Sequence, residues 1–222
     1  MLLIENRAEL PYFYRSKWPA KFEASFITFN DPTLYLDRNL RVGYFLSPNS
    51  NELLLSVISE IANQILKLAF EDIVVYGASA GGYWAVKNAP FFRKSSIIID
   101  IPQINLNAFL DEKHKKLLQN SSTPIKKEHF QAFAWDSWSP NLMPQNIIYL
   151  QNIDDVIHTR VHYSSFMNHV SSMAENFSET GFIANLLSHF YKNEGSTRGH
   201  SPMQETSLIP LIEKNLSKIS QI

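Results

Sequence analysis

From Phe22 to Leu46, two short runs rich in β-formers, FEASFITF and VGYFL, are separated by NDP and DRN, which are turn and breaker signals. The pattern predicts neighbouring strands there. Asn49 with Glu52 three residues on resembles a capping box. Behind Pro48, the apolar positions Leu53, Leu54, Val57, Ile58, Ile61, Ile65 and Leu66 predict an amphipathic helix of about four to five turns. The segment IVVY, 73 to 76, is continuous and β-branched, as a strand covered on both faces by helices should be. GASAGG follows it directly, then YWAVKNAPFF offers helix formers ended by Pro90, and SSIIID, 95 to 100, is a second apolar strand.

Residues 103 to 145 break this rhythm with the Lys-rich DEKHKKLL, a polar SSTP and the aromatic AFAWDSWSP. They read as an insertion within one domain spanning 1–222. A buried strand resumes at NIIYL, 146 to 150, and a helix is predicted over 159 to 173. FIANLLSHF fits helix or strand locally, and strand is favoured because the architecture needs one there. SLIPLIEKNLSKI can place Leu208, Leu211, Ile212 and Leu216 on one face of a closing helix. Strands alternating with helices predict an α/β fold with a mostly parallel central sheet flanked by helices.

Composition narrows what such a fold can do. The chain has 222 residues, 45% of them apolar and 18% charged, with 15 Phe, 9 Tyr and 4 Trp to fill a core, which argues against whole-chain disorder. Lys plus Arg number 20 against 21 Asp plus Glu, so no global field attracts nucleic acid or an anionic membrane. The absence of cysteine removes disulfides, thiolate nucleophiles and Cys-ligated zinc. MLLIENRAEL is too short an apolar run for a signal segment, and no stretch of about 18 apolar residues occurs. A soluble, cytoplasmic protein with no membrane span is expected.

Gly77-Ala78-Ser79-Ala80-Gly81 fits the G-x-S-x-G nucleophile elbow, and its context fits too, with a strand before and a helix after. The turn must hold the Ser79 hydroxyl clear of the sheet, which requires small neighbours. A phosphate-cradling loop is the competing reading, but the P-loop lysine and a spaced G-x-G-x-x-G are both missing. A serine hydroxyl needs a base to take its proton and a carboxylate to orient that base, in the chain order Ser, acid, His. Asp154 and Asp155 stand side by side after NIIYLQN; the usual spacing selects Asp155 and leaves Asp154 to cap the next helix. Among seven histidines, His200 lies in a Gly-containing loop between the last strand and the last helix. His114 and His129 fall in the insertion, His169 in a helix and His189 in or beside the last strand. His158 and His162 have the i,i+4 spacing of metal-binding helices, but without the Glu of H-E-x-x-H they read as a surface helix face.

An oxyanion hole takes one N–H from Ala80, the residue after the nucleophile, and a second from the loop after ASFITF. Phe29, Asn30 and Asp31 are candidates there, and Asn30 adds a side-chain donor. In the insertion, Lys113, Lys115, Lys116, Lys126 and Lys127 with Phe130, Phe133, Trp135 and Trp138 suit a phosphate-bearing donor or stacked sugar rings. The same residues read equally as a solvated helix face over core aromatics.

From about Phe22 onward the chain resembles a small serine-triad α/β-hydrolase-fold protein. IVVYGASAGG, IIIDIPQINL, QNIDDVIH and RGHSP resemble, in order, the elbow, the P-Q-x-x-L segment, the acid loop and the histidine loop of bacterial capsule-locus proteins. That group includes polysaccharide O-acetyltransferases. Its elbow is typically G-S-S-K-G-G, where this chain has Ala78 and Ala80. The resemblance implies an α/β-hydrolase fold with a cap insertion at 103–145 and a Ser79–Asp155–His200 triad. It further implies acetyl-CoA as acyl donor, with no permanently bound cofactor and no metal, and a carbohydrate acceptor. An esterase or polysaccharide deacetylase would use the same residues, and a non-catalytic partner of a glycosyltransferase would keep only the fold.

Overall fold

The computed structural model describes residues 9–13, 15–47, 49–139, 142, 144–177, 185–195 and 199–219, the side chains of 174–177 and 216–219 excepted. Four strands form one sheet in the order β1 (Val74–Ala78), β2 (Ser96–Asp100), β3 (Asn146–Asn152) and β4 (Asn185–Tyr191). All three pairings are parallel. Parallel neighbours need crossovers, and helices supply them. Ala80–Lys87 (α2) joins β1 to β2, and Leu106–Phe109, Glu112–Gln119 and Lys127–Gln131 (α3 to α5) lie between β2 and β3. Val156–His158 (α6) and Ser164–Phe177 (α7) follow β3, and Glu205–Ile219 (α8) follows β4. This is an α/β-hydrolase fold, with every strand end that carries a functional loop on the same edge of a parallel sheet.

The apolar strand runs are buried as their sequences require. Every residue of β2 is buried, and one face of β3 packs Ile147 and Tyr149 into the larger core while the other sends Ile148 and Leu150 to a second core under α8. Leu208 and Ile212 of α8 are buried there. The 103–145 segment shares the larger core through Leu106, Leu118, Ile125, Phe130 and Trp135. Its aromatics are therefore mainly structural. Trp138 donates its indole N–H to the Val86 carbonyl at 2.7 Å, and Phe133, the most exposed, stacks on Trp135. The lysines of the segment lie on or near the surface; Lys115, the most sheltered, pairs with Glu112 at 3.0 Å. No helix among the described residues is long and apolar enough to cross a membrane.

The first third departs from its pattern. No strand forms between Phe22 and Leu46 among the described residues, where two were expected. Side chains there take the backbone groups that a ladder would have used. Asp31 accepts from Thr33 N at 2.9 Å to start a 3-10 turn at Pro32–Tyr35, and its other oxygen accepts from Phe45 N at 3.1 Å. Thr33 Oγ1 accepts from Ser47 N at 2.8 Å. Tyr44 and Phe45 sit at φ 56° and 54°, left-handed values that no strand tolerates. The runs are apolar because Phe22, Leu40, Tyr44, Phe45 and Leu46 are buried, not because they pair in a sheet. Helix α1 (Ser50–Glu60) continues through a π-type turn at Ile61–Ile65. The expected capping box is not formed, because Asn49 is left-handed and its side chain makes no cap bond. The helix buries Ile58 and Ala62 and leaves Leu53, Val57 and Ile65 exposed.

Candidate functional site

The chain leaves β1 through Gly77 and turns abruptly into α2. Ser79 stands at the apex at φ 52°, ψ −116°, a backbone state costing about 1–3 kcal/mol that persists only where the surroundings enforce it. The surroundings are tight. A Cβ on Gly77 would lie 2.2 Å from the Gly81 carbonyl oxygen, so only glycine admits the turn. Ser79 N donates to the Asp100 carbonyl at 3.0 Å, and Ser79 O accepts from Gln103 N at 3.2 Å, which ties the apex to the end of β2.

Ser79 Oγ lies 3.0 Å from His200 Nε2, and His200 Nδ1 lies 2.8 Å from Asp155 Oδ2. With Nδ1–H donated to the carboxylate, Nε2 presents a lone pair to the serine hydroxyl. His200 is about one-third exposed and Asp155 is buried. Burial alone would raise the Asp155 carboxyl. Hydrogen bonds from His158 and His200 outweigh it and hold the group well below the usual carboxylate range, so it is ionised.

The structure thus brings Ser79, Asp155 and His200 together and leaves Asp154 outside, bridged at the surface to Lys192 at 3.3 Å. The cap of the following helix is Asp155 itself, not Asp154 as the sequence suggested. Asp155 Oδ1 accepts from His158 N at 3.1 Å. Asn30 accepts from Tyr12 N at 3.0 Å and its amide nitrogen is buried without a partner. Among the described residues no hydrogen bond joins it to the elbow. Asp31 is occupied in its turn. Ala80 N–H opens α2 and has no acceptor within the helix. His189 and His129 are exposed, while His169 stacks on Trp135 at 4.9 Å and His114 meets Tyr44 edge-on.

His158 and His162 are not the surface pair expected; they are 4% and 0% exposed. His158 Nδ1 lies 2.8 Å from Asp155 Oδ1, and its ring stacks on His200 with centroids 4.0 Å apart. The legible signal was the spacing Asp155-x-x-His158. A residue three after a helix cap reaches back over that cap, as in a capping box. His162 Nδ1 accepts from Asn105 N at 3.2 Å. Burial, then the neighbouring His158 and His200, push its ring down to about 3, so it is neutral. Gln103, also missed, accepts from Tyr44 Oη at 2.9 Å through Oε1 and turns Nε2 to His158 Nε2 at 3.3 Å and His200 Nε2 at 3.4 Å.

The loop bearing His200 is anchored from several strands. Met203 N donates to Asp100 Oδ2 at 2.8 Å, Tyr191 Oη lies 2.6 Å from Asp100 Oδ1, and Asn193 Nδ2 donates to the Pro202 carbonyl at 2.8 Å. Gly199 passes so close to the Asp154 carbonyl that an added Cβ would lie 2.4 Å from its oxygen. Asp155, His158 and His200 also offer ligand-type atoms within 4.8 Å of one another. Both Nδ1 atoms already serve the carboxylate, and both Nε2 atoms face the amide nitrogen of Gln103, a donor. The three groups therefore satisfy one another by hydrogen bonds, which a metal ion would have to displace.

A strained serine follows the first strand, an acid the third and a histidine the fourth, the chain order Ser, acid, His of α/β-hydrolase triads. No protein-family model and no curated protein sequence matches the chain. Solved structures resemble it at low identity. The capsule O-acetyltransferase of Neisseria meningitidis serogroup A is 18% identical, with a TM-score of 0.48, over 78% of this chain and 66% of that one. A histidine-to-alanine mutant of the same Neisseria protein has been solved in complex with CoA. An alpha/beta hydrolase enzyme from a Medee basin deep-sea metagenome library is 14% identical, with a TM-score of 0.47, over 79% of this chain and 66% of that one. The chain therefore spans just under two-thirds of these proteins' length.

Proposed function

We propose that the protein is a serine acyl-transfer enzyme in which Ser79 is the nucleophile, His200 the general base and acid, and Asp155 the residue that orients and charge-balances His200. The observation that carries this reading is the unbroken line from Ser79 Oγ through His200 to an ionised, buried Asp155. Ser79 Oγ attacks an acyl carbonyl while its proton passes to His200 Nε2. The tetrahedral oxyanion is met by Ala80 N–H and a second donor, for which Asn30 is proposed. The bond to the leaving group breaks as His200 returns the proton to it. An acceptor hydroxyl then attacks acyl-Ser79, gives its proton to His200, and Ser79 Oγ leaves and is reprotonated.

The four motifs shared in order with capsule-locus proteins favour acetyl-CoA as donor and a hydroxyl of a bacterial surface polysaccharide as acceptor. The leaving group is then the CoA thiol and the intermediate acetyl-Ser79. Hydrolysis is the second reading, favoured by the exposure of His200, which leaves an acyl-enzyme open to water.

Intact-mass analysis of wild type and Ser79→Ala after brief incubation with acetyl-CoA, with free thiol followed in the same tube, tests the proposal. A gain of one acetyl group or thiol release, absent in the variant, supports the transferase. Silence with acetyl-CoA but turnover of a simple acetate ester supports the esterase. Silence with both, in a folded protein, overturns the catalytic reading.

A further inference from the structure

The triad carboxylate serves two imidazoles. Asp155 Oδ2 takes His200 Nδ1–H at 2.8 Å, and Oδ1 takes His158 Nδ1–H at 2.8 Å and His158 N–H at 3.1 Å. With its Nδ1 proton committed, His158 has a lone pair on Nε2, and Gln103 Nε2–H fills it at 3.3 Å. The orientation of Gln103 is fixed from behind, because Tyr44 Oη–H donates to its Oε1 at 2.9 Å in a buried setting. Proton direction is therefore set along a whole chain, from Tyr44 to Gln103 to His158 to Asp155, and on the other side from Ser79 to His200 to Asp155. The two arms meet again at Gln103, whose amide nitrogen also faces His200 Nε2, at a long 3.4 Å.

We propose that His158 and Gln103 are a positioning pair that keeps His200 Nε2 unprotonated at rest, so that it can take the Ser79 proton. The pair works in two ways. His158 draws hydrogen-bonding capacity from the carboxylate that would otherwise stabilise a protonated His200. Gln103 points an N–H at the atom where that proton would sit, so a resting imidazolium would face a donor rather than an acceptor. Together they extend the working range of the base toward acid. Few other ionising groups bear on the two rings. His162 lies 4.8 Å from His158 and is neutral, Phe109 covers both His158 and His162, and Asp155 is the carboxylate they share. Tyr149 and Tyr191, held well above their ordinary range first by burial, stay protonated near Asp155. Asp154 and Lys192 lie paired at the surface beyond it.

The inference rests on Ser79 being a nucleophile activated by His200, and the test separates the two claims without a natural substrate. The second-order rate of Ser79 labelling by a fluorophosphonate is measured against pH for wild type, Gln103→Met, Gln103→Glu and His158→Phe, with Ser79→Ala as blank. Wild type should label with a single acid limb. Gln103→Met and His158→Phe should move its midpoint to higher pH by about half a unit to one unit, which is about a three- to tenfold slower rate on the limb with a plateau within tenfold. Gln103→Glu puts an acceptor where the donor was and should move the midpoint furthest in the same direction. A merely structural role would lower all rates without moving the limb, and that result, or a shift toward acid, overturns the inference. Failure of wild type to label at any pH overturns the nucleophile reading and the inference with it. Should the variants not fold, ring-nitrogen NMR of the wild type decides. His158 should hold its proton on Nδ1 and stay neutral where His200 titrates, and a His158 charged before His200 overturns the inference.

Discussion

Asp100 ends β2 and Asp155 follows β3, its neighbour in the sheet; the two share nearly complete burial, at 0% and 6% exposure, yet the protein treats them in opposite ways. Asp100 is met by two phenols and a backbone amide: Tyr191 Oη at 2.6 Å, Tyr76 Oη at 3.2 Å and Met203 N at 2.8 Å. Burial outweighs these neutral donors and raises its carboxyl above the ordinary value. Asp155 is met by two imidazoles and an amide, and stays below the ordinary value despite its burial. Depth in the core does not decide what a buried carboxylate does; the kind of donor around it does. Phenols hold a carboxylate in place, whereas an imidazole can take up a proton and become the cation that the carboxylate then balances.

The sharpest way to break the comparison is at the reacting end. Ser79→Ala, His200→Ala and Asp155→Asn should each lower turnover of an acetate ester by roughly a thousandfold or more while leaving a folded protein, as checked by circular dichroism. Tyr191→Phe should do the reverse. It removes a donor from a buried carboxylate and from the anchor of the histidine loop, costing about 1–3 kcal/mol in urea unfolding with turnover within about tenfold.

The pH dependence of stability should separate the two acids by sign. Asp155 is depressed in the folded state, so its contribution is present above the unfolded value and is lost as pH falls through the folded one. Asp100 is raised, so its contribution is present below the unfolded value and is lost as pH rises through the folded one. Unfolding followed from about pH 3 to pH 7 should therefore show Asp155→Asn losing most relative to wild type at neutral pH. Asp100→Asn should lose most at acid pH. Parallel curves for the two variants would end the comparison. The smallest effect belongs to Asp154→Asn, whose surface bridge to Lys192 is worth less than about 1 kcal/mol and whose turnover should stay within about twofold.

How much of this was legible depends on where hydrogen bonds go. The strands β1 to β3 and the order of Ser79, Asp155 and His200 could be read because strand, tight turn and helix each leave a local pattern. By contrast, β4 fits helix or strand locally and reads as strand only because the architecture needs one. His158 could not be read as buried, since its i,i+4 relation to His162 is the same on a wet face and a dry one. Only the fold, by laying α6 against the histidine loop, decides between them. Gln103 stood in the P-Q-x-x-L segment, but its contact with the histidines could not be read there, because its side chain is oriented by Tyr44, 59 residues earlier. The first third misled for a related reason. Asp31 and Thr33 satisfy backbone groups across the Pro32 turn, and apolar content there reports burial without reporting strand pairing.

The separation of 121 positions between Ser79 and His200 carries a consequence for biosynthesis. During translation the strained serine emerges well before its base, and the two meet only after β4 is laid down and the following loop has docked on Asp100. On the proposed function, an unfinished chain would hold Ser79 without the base that takes its proton, and chain order alone would delay the chemistry. Appearance of activity would then mark the last event of maturation.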